Sequence, residues 1–344
     1  MAHVFECEAA AKEISKRLAR SFQSGTTNFL LGSGASKPAI PVAGATEQDI
    51  ADLLVQGKDT EAGLKMYEFL VGIQGPTNKL IAEAADANNA ATVTEYRRFL
   101  GLVEIMLFER RTTLLAKQAT IFTTNYDLFI EKASLSQPAL TLNDGFSRVP
   151  SLDNRMEYSS RTFFNTTYNT GNLYNYQVEI PCINLIKLHG SLSWKKDKEH
   201  IVFSVTRKEP LPPEKTADQI QQYTETYAVV LPQTTKLRTT LMDRTYYELL
   251  RIYANALDRE NALLVACGFS FTDEHLLDIT LRALKNPTLR LVIFAFDENA
   301  RDHYATTFAS QNNVDIIGPA AGGTIPFGKF NDIIAGVLPA MTEA

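Results

Sequence analysis

The sequence predicts an α/β protein: a Rossmann-like, mostly parallel sheet with helices on both faces, interrupted by a helical and loop insertion. Three observations predict it. Short apolar runs alternate with amphipathic segments of helical period, as in a parallel sheet covered on both faces. The longest runs, LLVACGF at 263–269 and LVIFAF at 291–296, have the length of buried strands. They fall far short of the roughly 18 residues that span a bilayer. Residues capable of chemistry gather just past the predicted strands, where sheets of this class hold ligands. The chain, 1–344, reads as a single domain with a helical subregion at 42–115 and a Tyr/Asn-rich insertion at 137–181.

In chain order, Ile14, Leu18 and Phe22 recur every four residues and predict an amphipathic helix. Thr27 to Leu31 reads as a buried strand ending in Gly32-Ser33-Gly34-Ala35-Ser36. The 42–115 stretch is helix-rich, and Gly75-Pro76 predicts a break within it. A strand over 119–123 runs into Thr124-Asn125-Tyr126-Asp127 and a short helix. The 137–181 segment carries Arg148, Arg155, Arg161, Phe163, Phe164, Tyr168, Tyr174 and Tyr176, and predicts hairpins or loops outside the core. A strand over 183–188 ends in His189-Gly190-Ser191. Strands at 227–231, 262–267, 290–296 and 314–317 then alternate with helices at 243–258, from 273, from 299 and near 328–338.

The balance of 34 basic against 39 acidic residues, a net charge of −5, is not that of a chain built to coat nucleic acid. The three cysteines, Cys7, Cys182 and Cys267, are far apart and form no C-x-x-C pair. That count argues against a structural zinc ribbon and a disulfide framework, and fits a reducing cytoplasm. The N-terminal segment mixes both charge signs and lacks the apolar core of a secretion signal.

Four strand-end loops are candidates for chemistry. In Gly32-Ser33-Gly34-Ala35-Ser36, glycines would let backbone N–H groups approach a phosphate, although a tight turn explains them equally. Asn125 and Asp127 are good helix caps. Together they also suit a site in which Asn125 meets a ribose hydroxyl or a water and Asp127 sets pocket polarity. His189, at the end of an apolar strand, is placed for a general base. Gly268, Ser270 and Asp273 read either as a capped turn or as a second ribose or phosphate contact. Gly323 to Lys329 fits G-x-x-x-x-G-K, but Phe330 stands where a hydroxyl must hold magnesium, so the nucleoside-triphosphate reading is set aside.

In this order, the four loops resemble the sirtuin superfamily over about residues 25–320. Gly32-x-Gly34-Ala35-Ser36 with Ile40-Pro41 looks like its first loop. Thr124-Asn125-Tyr126-Asp127 is similar to T-x-N-x-D, Leu188-His189-Gly190 to the catalytic L-H-G, and Gly268-x-Ser270-x-x-Asp273 to a later glycine-serine motif. Protein deacylases of the superfamily carry a four-cysteine zinc module that this chain lacks. Their first loop continues as Asp-Phe-Arg where this one reads Val42-Ala43, and their histidine follows the asparagine more closely.

The resemblance therefore implies a divergent sirtuin-like NAD hydrolase of bacterial antiviral defence, with NAD as substrate and no zinc. It implies His189, Asn125 and Asp127 as catalytic residues. Gly32, Ser33, Gly34, Ala35, Ser36, Thr124, Gly268, Ser270 and Asp273 become cofactor-binding. NAD suits such a site because cationic nicotinamide departs neutral, so no metal or strong acid is needed. The site needs a pyrophosphate cradle, a ribose clamp and a base. The resemblance and the chain length imply restraint by homo-oligomerisation or by a partner such as a HerA-type hexameric ATPase. The alternatives are an NAD- or ADP-ribose-binding sensor without turnover, a divergent deacylase, and a nucleic-acid binder using the arginines and tyrosines of the insertion.

Overall fold

A computed structural model describes residues 1–41, 44–110, 114–147, 152, 154–171, 177–198, 200–229 and 241–343. The strands are β1 (His3–Glu6), β2 (Thr26–Leu31), β3 (Gln118–Thr123), β4 (Thr141–Asn143), β5 (Tyr168–Asn169), β6 (Val178–Glu179), β7 (Cys182–Lys187), β8 (Gly190–Asp197), β9 (His200–Phe203), β10 (Tyr227–Val229), β11 (Ala262–Cys267), β12 (Arg290–Phe294) and β13 (Val314–Gly318). The helices are α1 (Ala11–Ser24), α2 (Gly44–Val55), α3 (Asp59–Ile81), α4 (Ala87–Phe108), α5 (Phe129–Ser134), α6 (Ala217–Glu225), α7 (Leu241–Leu257), α8 (Glu274–Ala283), α9 (Glu298–Thr307), α10 (Phe327–Ala335) and α11 (Leu338–Glu343).

Eight strands form one parallel sheet in the order β1-β13-β12-β11-β2-β3-β7-β4. Side chains alternate across it. Phe29, Ile121 and Leu185 face a core completed by Ile14, Leu18 and Phe22 of α1, Phe99 of α4 and Phe330 of α10. Leu30, Phe122 and Ile186 face the other way, onto Leu249, Tyr253 and Leu257 of α7 and Leu276 of α8. This is the doubly covered Rossmann-like α/β sheet that the alternating pattern predicts.

The chain builds outward from β2 in two directions. It first adds β3 and β7 on one side, then crosses back to add β11, β12 and β13 on the other. The switch point lies between β2 and β11, where the crevice above the strand ends receives ligands in such folds.

Three features differ from the sequence expectations. Gly75-Pro76 does not break the helix, for α3 runs through Pro76. Thr77 Oγ1 donates to Ile73 O at 2.9 Å and Asn89 Nδ2 to Pro76 O at 2.9 Å, so carbonyls around the proline keep partners. Buried Ile73, Thr77 and Leu80 hold the helix in place. The 137–181 segment is not wholly outside the core. Its β4 joins the edge of the main sheet beside β7, and its Phe146 and Phe163 are buried with Trp194 of β8. Arg148, Tyr174, Tyr176 and the end of the 227–231 strand lie outside the described residues, as do Val42 and Ala43. Finally, β8, β9 and β10 form a separate antiparallel sheet. No described helix is long and apolar enough to cross a membrane.

Candidate active site

The loops after β2 and β11 cross at the switch point with backbone against backbone. A Cβ on Gly32 would lie 2.3 Å from Gly268 O, and one on Gly34 2.7 Å from Gly268 Cα. Gly268 itself has φ +67°, and a Cβ there would meet Ala35 N at 2.7 Å. Only glycine fits this crossing. The same contacts engage the N–H groups proposed for phosphate. Gly32 N–H donates to Cys267 O, Gly34 N–H to Gly268 O and Ala35 N–H to Gly32 O, all at 3.0 to 3.1 Å. The glycines therefore shape the loop, and a phosphate cradle from these three amides would require breaking bonds the fold already makes.

Above the crossing opens a cavity of about 210 Å³. Of the candidates, Ser33, Ser36, Thr124, Asn125, Asp127, His189, Gly268, Ser270 and Asp273 line it, and Gly32, Gly34 and Ala35 do not. Ile40 and Pro41 also line it, with Phe69 and Ile73 from α3. The α3 pair carries no chemical signature in the sequence beyond its apolar i,i+4 spacing. A second cavity, of about 420 Å³ and more apolar, lies on the other side and shares Gly268, Phe269 and Ser270 with the first. Phe294, Phe296, Tyr304 and Lys37 help to wall it.

Buried hydrogen bonds fix Asn125. Its Nδ2 donates to Gly32 O and to Ser36 Oγ, each at 3.0 Å, and its backbone N–H donates to Thr123 Oγ1 at 3.1 Å. Both side-chain N–H groups are thus engaged, which orients Oδ1 as the acceptor left on a cavity-lining amide. Ser36 Oγ donates to Asp127 Oδ2 at 2.7 Å and lies 3.0 Å from the Tyr96 hydroxyl. Asp127 Oδ1 accepts from Phe129 N–H at 3.1 Å. Asp127 therefore works as a brace between loops. Behind it, buried Lys187 donates to Asp127 O and pairs with Glu131 at 2.8 Å. Burial holds the Glu131 carboxyl above its ordinary range against the pull of Lys187.

His189 and Asp273 form a pair that the sequence did not reveal. His189 Nε2 lies 2.9 Å from Asp273 Oδ2. The other carboxylate oxygen, Oδ1, caps α8 by accepting from Leu276 N–H at 3.0 Å. Burial works to raise the Asp273 carboxyl, but the His189 hydrogen bond and charge and the Leu276 N–H outweigh it, so it sits below the usual carboxylate range. A carboxylate at Nε2 requires the proton there, so whenever the ring is neutral its lone pair is on Nδ1. Nδ1 is buried and has no hydrogen-bond partner among the described residues. The rings of Tyr126 and Tyr246 flank the imidazole at 6.3 and 6.2 Å. Asp273 was expected to touch ligand, and here it lines the cavity while holding the histidine.

Among the described residues no group of three or more His, Cys, Asp and Glu side chains could hold a metal ion. Lys329 of the G-x-x-x-x-G-K segment pairs with Glu8. In the insertion, Arg155 pairs with Asp197 at 3.0 Å, and Tyr158 packs on Trp194 with ring centroids 4.9 Å apart.

A comparison with curated proteins returns no match. A family model described as a SIR2-like domain matches residues 119–317, the span that carries Asn125, Asp127, His189, Gly268, Ser270 and Asp273. SIR2-like domains bind NAD, which gives the site an NAD-related function in general terms. The match takes in more than half of the sequence, and the chain belongs to the SIR2-like family.

Proposed function

We propose that this protein is an NAD glycohydrolase that cleaves NAD to nicotinamide and ADP-ribose, an effector of antiphage defence that depletes NAD once activated. The observation that carries the proposal is the His189–Asp273 pair, with an Nδ1 that has no partner among the described residues, on the wall of the same cavity that the oriented Asn125 lines. An orphaned imidazole nitrogen on a cavity-lining residue is what a ligand hydroxyl or water would satisfy. In this reading the two cavities, which share Gly268, Phe269 and Ser270, would take the two nucleoside halves of the dinucleotide.

In this reading Asn125 Oδ1 accepts from a ribose hydroxyl or from the attacking water. Water adds to the ribose carbon that bears nicotinamide as that bond breaks. Nicotinamide leaves neutral, and the water proton passes to His189. Asp273 stabilises the imidazolium that forms. Ser36, Asp127 and Lys187 hold the loop that carries Asn125, while Phe69 and Ile73 limit water in the cavity.

Restraint by self-association or by a HerA-type ATPase completes the proposal, supported by the family resemblance alone. A sensor without turnover is favoured by one feature: Asp273 engages one ring nitrogen of His189 and the other is buried. The test is incubation with NAD, alone and with candidate partners, following nicotinamide and ADP-ribose, with acyl-lysine cleavage measured in parallel. Turnover is expected to disappear in His189→Ala and in Asn125→Ala with the fold kept. Full turnover by His189→Ala would remove the base assignment.

A further inference from the structure

Sheets buried on both faces are normally filled with Val, Ile and Leu. On the α7 face of this one, Leu30, Phe122 and Ile186 follow that rule in register across β2, β3 and β7. Two residues nearer the strand starts, the register brings Asn28, Thr120, Asn184 and Asn143 side by side across β2, β3, β7 and β4. A cavity of about 290 Å³ opens between Asn28, Thr120 and Asn184 of this row and α7.

Polar atoms there lack partners. Asn28 is 3% exposed, and its Nδ2 donates to Leu263 O at 3.2 Å, while Oδ1 accepts nothing among the described residues. Thr26 Oγ1, on the same wall, is buried and has no partner among the described residues. Both would be satisfied by a neutral group carrying hydrogen-bond donors. Phe122, Phe163 and Phe164 supply flat apolar walls, Phe164 being 71% exposed at the mouth.

The charge of the cavity is positive. Among the described residues its lining contains Arg110 and Arg259 and no acidic side chain. Every N–H of Arg110 is engaged by Phe22 O, Gly25 O, Ala116 O, Gln118 O or Thr27 Oγ1, none of them a carboxylate. That buried cation contributes field without donors. Arg259, exposed on the segment after α7, makes no side-chain ion pair or hydrogen bond among the described residues and is free to meet an anion.

We propose that this cavity is a second small-molecule site, for a planar hydrogen-bonding ring with an anionic tail: a nucleoside monophosphate. The ring lies between the phenylalanine walls with its edge on Asn28 and Thr120, and the phosphate meets Arg259. The volume is just under the roughly 300–1,000 Å³ of small-ligand sites, which suits one nucleotide and not a dinucleotide. Asn28 lies four residues before Gly32, about 13 Å down the strand at ~3.3 Å per residue, so the site is separate from the catalytic cavity. It stands whatever reaction the upper site performs.

The test is calorimetric titration of the full chain with AMP, GMP, CMP and UMP. At least one is expected to bind saturably at one site per chain. Arg259→Glu, at an exposed position, and Ala256→Trp, which fills the mouth, should each weaken that binding at least tenfold. Ala300→Trp, which fills the larger upper cavity, should leave it unchanged. The proposal is overturned if none of the four binds saturably. It is equally overturned if binding survives Arg259→Glu and Ala256→Trp, or is lost in Ala300→Trp.

Discussion

The carboxylate of Asp273 does two jobs with two oxygens, and this makes its replacement informative. Oδ1 caps α8 through Leu276 N–H and Oδ2 holds His189 Nε2. Asparagine is an equally good cap, so Asp273→Asn should fold. Its amide would then present N–H to Nε2, forcing the proton onto Nδ1 and removing the lone pair from the side the proposal uses. We expect kcat for NAD cleavage to fall by about 10²–10⁴-fold with KM little changed. Asp273→Glu, which keeps the acceptor, should recover part of the loss. The same carboxyl sets a pH signature. Its folded value lies below the ordinary 3.8, so its stabilisation is fully present above that pH and is lost as pH falls below it. Urea midpoints measured from pH 5 to about 2 should therefore drop more steeply for the wild type than for Asp273→Asn. Parallel curves would mean that the carboxylate is not coupled to folding.

At the scale of elements, α3 shows a local rule overruled by packing. Proline within a helix removes one hydrogen bond and crowds the preceding turn, at a cost of about 3 kcal/mol. The helix persists because Ile73, Thr77 and Leu80 are buried and Asn89 caps the Pro76 carbonyl. Pro76→Ala should restore the missing bond while giving back some unfolded-state entropy, a net gain of about 2 kcal/mol. Thermal melting checks this, and a lowered midpoint would show that the proline is needed where it is. The strand-end loops were legible because Gly, Asn, Asp and His have few other reasons to follow an apolar strand. Other elements were not. β1 reads HVFE, with three of four positions exposed, and carries no periodic signal. The Phe69 and Ile73 wall looks like any buried helix face. The His189–Asp273 pair and the Asn28–Thr120–Asn184 row exist only through strand register, which a linear pattern does not encode.

For the whole molecule, the cysteines whose spacing argues against a zinc ribbon become reporters of cooperativity. Cys7 follows β1, Cys182 opens β7 and Cys267 closes β11, so the three sample both sides of the sheet and its middle. All are buried and free. Burial pushes the thiols of Cys7 and Cys182 up to about 11 and that of Cys267 further still. At pH 7.5 a rise from 9.0 to about 11 lowers the thiolate fraction ~100-fold, before access is considered. Native protein should therefore resist a disulfide reagent, and labelling should follow opening of the fold. Cys182 and Cys267 lie on strands joined through β2 and β3 with continuous parallel pairing. If residues 1–344 form one domain, both should label together at the global urea transition. Cys7 should label at lower urea, because β1 pairs with β13 alone and its N–H bond to Gly318 O is at the sheet edge. Separate transitions for Cys182 and Cys267 would divide the sheet at its switch point into two cooperative units, with the candidate active site on the seam between them.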